Sequence, residues 1–257
     1  MKLLKPILIF FPFALLGYAV FVEPRQLEIT SHQVTLGTPT KNLTIAHVTD
    51  LHTKGLGSVE RQLIETIREQ KPDLIVITGD LTTPGGTPEG YEEVLSQMKA
   101  PLGVYFVQGN WEYWEPVKEL AEIFQRQGIT DLTNKTLKLN DMIWLAGLDD
   151  ELAGSPDISV LNEISKNKKV ISLFHSPALF NSIFDQIDLA FAGHSHGGQI
   201  RLPFLGPPWT PEGTGEFDAG WFQKGRGRMY VSRGIGNSIL PIRFNCKPEV
   251  AYIKVQY

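Results

Sequence analysis

The chain has 257 residues, of which 42% are hydrophobic and 20% are charged, and its formal net charge is −4. This composition excludes disordered and collagen-like proteins, and the acidic balance argues against a dedicated nucleic-acid binder, so no nucleic-acid partner is expected. The single cysteine, Cys246, excludes an intrachain disulfide framework and zinc or iron–sulfur sites built from several cysteines. A chain of this length forms one large domain or two small ones.

The amino-terminal segment differs from the rest of the chain. Two lysines precede an uncharged, mostly apolar run over residues 6–22, whose length is at the lower limit for a membrane span. This pattern predicts a transmembrane anchor over 1–22, with the domain 23–257 on the extracytoplasmic side of the cell membrane. Two alternatives remain: a signal segment cleaved after Ala19, which would give an exported or periplasmic protein, and a buried helix.

From residue 27 onward, the pattern predicts strands that alternate with helices. Strands are predicted over 27–36, 43–50, 73–80, 102–107, 143–148, 169–174, 188–193, 229–233 and 249–255. Helices are predicted over 58–70, from about 90 to 98, over 116–127 and over 158–168. Near-continuous apolar runs such as 73–80 are typical of strands buried on both faces. The alternation predicts an α/β layered fold.

Residues that can bind a metal ion lie at or just beyond the ends of five predicted strands. They are Asp50, His52, Asp80, Asn110, His175, His194 and His196. Because ligands of an open α/β sheet bind beyond the carboxyl ends of its strands, we expect these side chains to meet at one edge. Glycine precedes three of them, Asp80, Asn110 and His194, and would permit a sharp turn and close backbone approach.

The number and chemistry of these side chains indicate two metal ions. Seven ligands are too many for one ion, whereas two ions that share a carboxylate need about this number, and such pairs hydrolyse phosphoesters. Mixed imidazole and carboxylate ligands suit manganese, iron or zinc.

The order D-x-H, G-D, G-N, H and G-H-x-H resembles the pattern of the calcineurin-like metallophosphoesterase superfamily. Segments 146–150, 190–207 and 232–249 resemble in particular its membrane-associated or exported bacterial phosphodiesterases. The resemblance covers about residues 40–257 and implies a four-layer αββα sandwich, here preceded by the N-terminal apolar anchor or signal helix. It also implies hydrolysis of a phosphate ester by a metal-activated hydroxide.

The resemblance implies a role for each of the seven residues. One metal would be held by Asp50, His52, Asp80 and His196, and the other by Asp80, Asn110, His175 and His194. Asp80 would bridge the two ions and act in catalysis together with Asn110 and His194, and Asn110 would also bind substrate.

One position departs from the family pattern. Where the family usually has the histidine that protonates the leaving group, this chain has Trp111, followed by Glu112, the acidic neighbour that would orient such a histidine. Indole has no proton that titrates near neutrality, so Trp111 cannot act as a general acid. We therefore expect a preference for acidic leaving groups, as in pyrophosphate linkages or activated diesters.

Other polar residues have simpler interpretations. Arg201 is the first choice for a substrate phosphate contact, because a guanidinium binds phosphate through two parallel bonds, and Lys54 and Arg233 are further candidates. We expect His47 and Cys246 to be buried, and His32 to lie at the surface or on an edge strand without a role. Asp149–Glu151 are expected to be solvated loop or cap residues rather than ligands. Trp111 and Trp114 either pack or shape the substrate pocket.

The leading function is hydrolysis of phosphodiester or pyrophosphate bonds by a binuclear-metal enzyme at the cell envelope. The alternatives are a phosphomonoesterase and a catalytically impaired metal-binding protein, for which Trp111 is the only argument. Aromatic side chains at 204, 209, 217, 221 and 222 either fold back onto the domain or form an apolar surface for a lipid-linked phosphate.

Overall fold

The computed structural model describes residues 12–257, in which two six-stranded sheets are assembled. The strands are β1 (Glu28–Thr35), β2 (Asn42–Val48), β3 (Leu74–Thr78), β4 (Val104–Val107), β5 (Ile129–Asp131), β6 (Lys135–Lys138), β7 (Ile143–Gly147), β8 (Lys169–Leu173), β9 (Leu189–Ala192), β10 (Gly220–Lys224), β11 (Gly227–Val231) and β12 (Glu249–Gln256). The first sheet has the order β1-β12-β2-β3-β4-β5, and the second has the order β10-β11-β9-β8-β7-β6.

Parallel neighbours form the centre of both sheets. In the first sheet β2, β3 and β4 run parallel, and in the second β7, β8, β9 and β11 do so. The carboxyl ends of these strands therefore open toward the same edge of each sheet, where ligands of α/β sheets bind.

The helices cover the outer face of each sheet. They are α1 (Ser58–Gln70), α2 (Pro88–Leu95), α3 (Asn110–Trp114), α4 (Leu120–Gln127) and α5 (Phe180–Ile183), with 3-10 turns at Ile158–Glu163, Pro177–Leu179 and His196–Gly198. Helices α1, α2 and α4 pack on the first sheet, and α5 with the turn at Ile158–Glu163 packs on the second. The resulting order is helix, sheet, sheet, helix.

Strand β3 illustrates why the two sheets stack. Ile75 and Ile77 face the helices, whereas Leu74 and Val76 face the second sheet, and all four are fully buried. Alternate side chains of a strand point to opposite faces, so an uninterrupted apolar sequence fills two cores at once. Burial contributes about 1.5–3 kcal/mol for each such side chain.

Several predicted elements differ from those observed. The helix predicted over 116–127 is confined to α4, and the helix predicted over 158–168 is the short 3-10 turn Ile158–Glu163. Strands β5, β6 and β10 were not predicted. The first two have only 3 and 4 residues, too few to show an alternating pattern.

The described part of the amino-terminal segment is helical and rests against the domain. Residues 12–17 are α-helical, followed by a π-helical turn and a 3-10 turn that ends at Arg25. Ala19 is buried and its carbonyl accepts the Arg243 backbone N–H at 3.0 Å, while the Glu23 carboxylate accepts the Cys246 backbone N–H. The first eleven residues of the predicted anchor lie outside the described residues. Between residues 12 and 257, no helix has the length and apolar character that a bilayer crossing requires.

Candidate metal centre

Five of the seven predicted ligands lie on left-handed backbone. The φ angle is 51° at Asp50, 40° at His52, 55° at Asp80, 67° at His194 and 48° at His196. Non-glycine residues rarely adopt this region, and such strained positions concentrate at functional sites. The sharp turns that carry the side chains away from the sheets are therefore made largely by the ligand residues themselves.

The glycines that precede the ligands serve mainly to let other backbone and side-chain atoms approach closely. A Cβ atom on Gly79, itself at φ 82°, would lie 2.6 Å from the Gly109 nitrogen and 2.8 Å from His175 Nδ1. A Cβ on Gly193 would lie 2.5 Å from Asp50 Oδ2. The expected close approach is observed, but of these two glycines only Gly79 has a positive φ.

The predicted carboxylates and imidazoles come together in two groups that share one residue. Group one consists of Asp50, His52, Asp80 and His196; group two consists of Asp80, His175 and His194, beside which Asn110 begins α3. The ligand atoms of each group lie within 4.8 Å of one another, and all of these side chains are buried.

Within each group, the imidazole nitrogen and carboxylate oxygen atoms lie closer together than is usual for atoms that bind no common partner. In group one, His196 Nε2 lies 3.2 Å from His52 Nε2 and 3.2 Å from Asp50 Oδ1. In group two, His194 Nδ1 lies 3.1 Å from His175 Nε2. Two atoms that each bind one ion at about 2.0–2.1 Å are separated by about 2.8–3.4 Å in tetrahedral or octahedral geometry. The observed spacing fits a metal ion in each group.

Asp80 faces both groups with the same oxygen atom. Its Oδ2 lies 3.5 Å from His52 Nε2 and 3.2 Å from His175 Nε2. Its other oxygen, Oδ1, accepts the Trp111 backbone N–H at 3.0 Å, which fixes the plane of the carboxylate. A single oxygen directed at two neighbouring groups is the arrangement expected of a carboxylate that bridges two ions.

Two further observations fit bound cations. The Asn110 Oδ1 atom is buried and has no hydrogen-bond partner within residues 12–257, although buried polar atoms are normally satisfied. Burial raises the pKa of Asp50 to about 7, so its ionised form needs a compensating positive charge. Burial also acts to raise the pKa of Asp80, but His175, together with His52 and His194, outweighs it and holds that pKa at about 2.

Comparisons with known proteins identify the family. Residues 43–198 match the family model described as calcineurin-like phosphoesterase. YkuE of Bacillus subtilis, named an uncharacterized metallophosphoesterase, is 35% identical over 249 residues, which cover 91% of this chain and 87% of that protein. The chain belongs to the calcineurin-like phosphoesterase family. Two divalent metal ions are the cofactors of this family, and the protein is a metal-dependent phosphoester hydrolase.

Two further relatives support the family and the fold. Phosphodiesterase YaeI of Escherichia coli is 30% identical over 256 residues, which cover 93% of this chain and 92% of that protein. Among solved structures, TT1561 of Thermus thermophilus matches with a TM-score of 0.53 at 13% identity, over 76% of this chain and 91% of that one. This likeness shows a shared fold, a mixed α/β fold with two sheets.

Backbone carbonyls hold three of the four imidazoles on the side opposite the shared space. His52 Nδ1 lies 3.2 Å from the Thr82 carbonyl and His175 Nδ1 lies 2.7 Å from the Thr78 carbonyl, while His194 Nε2 contacts the Glu212 carbonyl. Such acceptors fix the tautomer and ring orientation of metal-binding histidines.

The fourth imidazole has a different neighbour. His196 Nδ1 lies 3.4 Å from the Arg243 guanidinium, which is fully buried and donates to the carbonyls of Arg233, Gly234, Gly236 and Cys246. Gly236 in turn donates its N–H to the Asp50 carbonyl. Arg243 thus holds the loop that packs against group one.

Glu112 connects the two loops that carry Asp80 and Asn110. Its buried carboxylate accepts the backbone N–H groups of Gly109, Asp80, Leu81 and Thr82 at 2.8–3.0 Å. Its predicted role was to orient a histidine side chain at position 111. The structure instead commits both carboxylate oxygens to backbone donors.

Of the two expected roles of Asp149–Glu151, a solvated loop is wrong for the first two residues, whereas capping fits Asp150, which accepts the backbone N–H groups of Leu152 and Ala153. Asp149 and Asp150 are buried; Asp149 accepts the Tyr113 hydroxyl at 2.7 Å, and Asp150 accepts the hydroxyl of Ser176, the residue after His175. Because these carboxylates follow β7 at the same sheet edge as the ligands, their position was a signal that sequence reasoning could have used.

Trp111 lies directly beside group one. Its indole is half-buried, with its ring centroid 5.3 Å from that of His52 and 5.8 Å from that of Trp114, whose side chain is 55% exposed. The tryptophan pair therefore lines the approach to the site, which favours the interpretation that it shapes the substrate pocket.

Arg201, Arg233 and Lys54, the three candidates for phosphate contact, differ in whether they already form ion pairs with carboxylates. The Arg201 guanidinium contacts Asp218 at 2.8 Å and the Gly197 carbonyl at 3.0 Å, and Arg233 pairs with Glu28 and Glu249. Lys54 is exposed and has no carboxylate within 4.0 Å in the described chain. The substrate role of Arg201 stays a prediction.

The remaining simple interpretations agree with the structure. His47 is fully buried, its Nε2 lies 2.8 Å from the Thr78 hydroxyl, and burial lowers its pKa to about 3. Cys246 is fully buried, and His32 lies on the edge strand β1 with its Nε2 3.0 Å from the Tyr230 hydroxyl.

Proposed function

We propose that this protein hydrolyses phosphodiester or pyrophosphate bonds at the cell envelope, with two divalent ions held in groups one and two. The observation that carries the proposal is the single Asp80 oxygen directed at both groups, within 3.5 Å of His52 and 3.2 Å of His175. Family membership supports phosphoester chemistry, and the similarity to a protein named phosphodiesterase supports the diester over the monoester.

Each proposed ligand has a defined partner or a free lone pair. Asp50, His52 and His196 would complete the coordination of the first ion, and Asn110, His175 and His194 that of the second, with Asp80 common to both. Asn110 Oδ1 is the one ligand atom that lacks any hydrogen bond in the described chain, so it is available to an ion. Manganese, iron and zinc are the ions that suit these nitrogen and oxygen donors.

The chain's own residues orient the reacting groups. When bound, the two ions would supply an activated water and stabilise the attacking and leaving oxygens of the phosphoryl group. Asp80, oriented by the Trp111 backbone N–H, keeps the two positions in register, and Asn110 and His194 adjoin the space into which a substrate phosphate would enter.

Position 111, beside His52, carries a side chain that cannot serve as a general acid. Trp111 occupies the position next to His52 where a proton donor would be useful, and indole does not titrate near neutrality. We therefore propose a substrate whose leaving group is itself acidic. Pyrophosphate linkages and activated diesters meet this requirement.

The location at the cell envelope rests on the sequence of residues 1–22. Its apolar, uncharged run after two lysines supports an extracytoplasmic domain attached to the membrane or exported.

The test measures metal content and turnover of the full chain purified in detergent. Residues 1–26 are kept because Ala19 and Glu23 contact the domain. After loading with manganese, iron or zinc, we expect two ions per chain and turnover of a nitrophenyl diester and a dinucleoside pyrophosphate above that of a nitrophenyl monoester. Two bound ions without turnover of any of the three would instead support a metal-binding interaction protein, and faster monoester hydrolysis would support a phosphomonoesterase.

A further inference from the structure

Two loops beside the metal centre expose large apolar side chains that nothing in residues 12–257 covers. We define the apolar rim as Leu202, Phe204, Leu205, Trp209, Ile239 and Leu240, which are between 41% and 106% exposed. By contrast Phe217 is buried, and Phe217 and Phe222 both pack on the second sheet, so the predicted aromatic surface is divided. Contiguous exposed apolar surface on a folded protein marks an interaction site.

The two loops of the rim are joined by backbone contacts. The Gln199 side chain donates to the Leu240 carbonyl at 3.1 Å and accepts the Ser238 N–H at 2.8 Å. The Arg201 N–H donates to the Phe244 carbonyl at 2.9 Å. Residues 202–211 and 234–242 contain no charged side chain, so the rim combines apolar surface with an absence of charge.

The amino-terminal segment reaches the domain at the same place. Arg243, three residues after Leu240, donates its N–H to the Ala19 carbonyl, and Tyr18 and Pro203 line one cleft. The described part of that segment exposes Phe13, Leu16 and Phe21 at 56–70% of their surface. Residues 6–22 also carry no charge. Three uncharged, apolar stretches of chain therefore meet on one side of the molecule.

The rim also adjoins the metal centre. A Cβ atom on Gly198, two residues after His196, would lie 2.9 Å from the Trp209 carbonyl oxygen. The same loop continues to Glu212, whose carbonyl contacts His194. A surface that rests on the rim would therefore lie close to group two and to the space between the groups.

We infer that the apolar rim seats in the surface of a lipid bilayer, next to the membrane-directed amino-terminal segment, and presents the metal centre to phosphate groups at headgroup level. A bilayer accommodates both the rim and the uncharged, apolar amino-terminal sequence that reaches the domain beside it. Aliphatic side chains enter the acyl region, while Trp209 suits the interface, where tryptophan is enriched. The inference deepens the proposed function and rests on it for the substrate, a phosphodiester or pyrophosphate attached to a lipid.

The depth of the rim in a bilayer can be measured directly. The full chain is reconstituted in phosphatidylcholine and phosphatidylglycerol vesicles, with a nitroxide on Leu205→Cys or Ile239→Cys. Cys246 is fully buried, so wild type treated with the nitroxide reagent should take up no label. This treatment checks that the label attaches only to the introduced cysteine. Matched controls are Leu102→Cys and Met142→Cys, which are 43% and 46% exposed. They lie just before β4 and β7 and so at the amino ends of these strands, the opposite edge of the sheets.

We expect oxygen, which partitions into lipid, to relax the labels at 205 and 239 several-fold more effectively than a polar nickel complex. At 102 and 142 the nickel complex should be the stronger relaxant. The same preference for the nickel complex at all four positions would overturn the inference. Dipolar broadening between labels at 205 without oxygen preference would also overturn it, since it would indicate a second copy of the chain as the occupant.

A kinetic experiment tests the membrane role of the rim separately from the proposed function. The double variant Leu205→Ser with Ile239→Ser should hydrolyse a lipid-attached phosphodiester in vesicles several-fold more slowly than wild type, with unchanged turnover of a soluble nitrophenyl diester. Leu102→Ser with Met142→Ser should change neither rate. If this variant loses rate equally on both substrates, or loses rate on neither, the inferred membrane role of the rim is wrong. Absence of soluble diester turnover in wild type that docks normally would count against the proposed function alone.

Discussion

The two ligand groups share Asp80 but are supported differently. In group two, the ring nitrogens of His175 and His194 that face away from the shared space contact backbone carbonyls. In group one, His52 has a carbonyl at 3.2 Å, but His196 faces the Arg243 guanidinium, which cannot accept a hydrogen bond. Carbonyl acceptors raise the basicity of a metal-binding imidazole. We therefore expect group two to hold its ion more tightly than group one.

The largest effect should come from the residue that the groups have in common. Asp80→Asn should remove a ligand from both ions at once and lower kcat/KM by at least roughly a thousandfold, because an ion contributes several kcal/mol to the transition state and about 1.4 kcal/mol is tenfold. Elemental analysis after gel filtration measures the ions retained.

The matched control is Asp50→Asn, which alters a proposed ligand of group one only, although the Asp50 carboxylate also accepts the His194 backbone N–H at 3.1 Å. It should lose one ion and keep the other. If Asp80→Asn still holds two ions per chain, the proposed bridge is wrong.

A substitution of Trp111, which packs on His52 of group one, should increase the rate of hydrolysis. Trp111→His should raise the hydrolysis of an alkyl diester, which has a poor leaving group, by on the order of a hundredfold, the lower range for general acid catalysis. A nitrophenyl diester should gain much less, since its leaving group needs no proton. The measurement is the rate of Trp111→His on both substrates, with Trp111→Phe as the control. An equal change in rate on the two substrates would show that wild type does not lack a general acid at this position.

The loop held by Arg243 should control group one selectively. Arg243→Gln removes contacts to four carbonyls, and this loss should exceed the effect of the long 3.4 Å contact with His196. We expect the affinity of group one for its ion to fall about tenfold to a hundredfold, typical of residues that support a ligand.

Stepwise removal of metal by a chelator measures this selectivity. Wild type should release the first ion before the second, and the interval should widen in the variant. Arg226→Gln, an exposed arginine paired with Asp188, is the control, and thermal unfolding of Arg243→Lys checks that the fold persists. A parallel loss from both groups would contradict the assignment.

The smallest effect concerns the substrate side of the site. Arg201→Ala should raise KM by less than about tenfold without changing kcat, because its guanidinium already pairs with Asp218 and is only partly available to phosphate. Steady-state kinetics with Lys54→Ala alongside compares a paired with an unpaired cation. A large fall in kcat for Arg201→Ala would move this residue into the catalytic centre.

The sequence was sufficient to predict that the ligand side chains converge. Buried parallel strands are apolar along their whole length, so a sudden Asp, His or Asn marks the carboxyl end, as at Asp80 after β3. Parallel neighbours bring those ends together irrespective of their separation in the chain. The layered fold followed from the same alternation of strands and helices.

The supporting contacts could not be predicted in this way. Arg243 contacts His196 across 47 positions and Glu112 accepts from the Asp80 loop across 32, and no local pattern specifies such pairs. Strand β10 exists because β11 pairs with it, although its own sequence resembles a glycine- and aromatic-rich loop. The left-handed backbone of the ligand residues was also unexpected, since the sequence pattern assigns the sharp turns to the glycines before them.

That left-handed backbone implies a conflict between folding and activity. Each of Asp50, His52, Asp80, His194 and His196 carries a conformational cost of about 1–2 kcal/mol that glycine would not have. Exchanging one of them for glycine removes this backbone cost, so in the metal-free protein it should offset part of the stability lost with the buried side chain and its hydrogen bonds. The left-handed turns are therefore a cost of holding the metal ligands in place and not a requirement of the two-sheet fold.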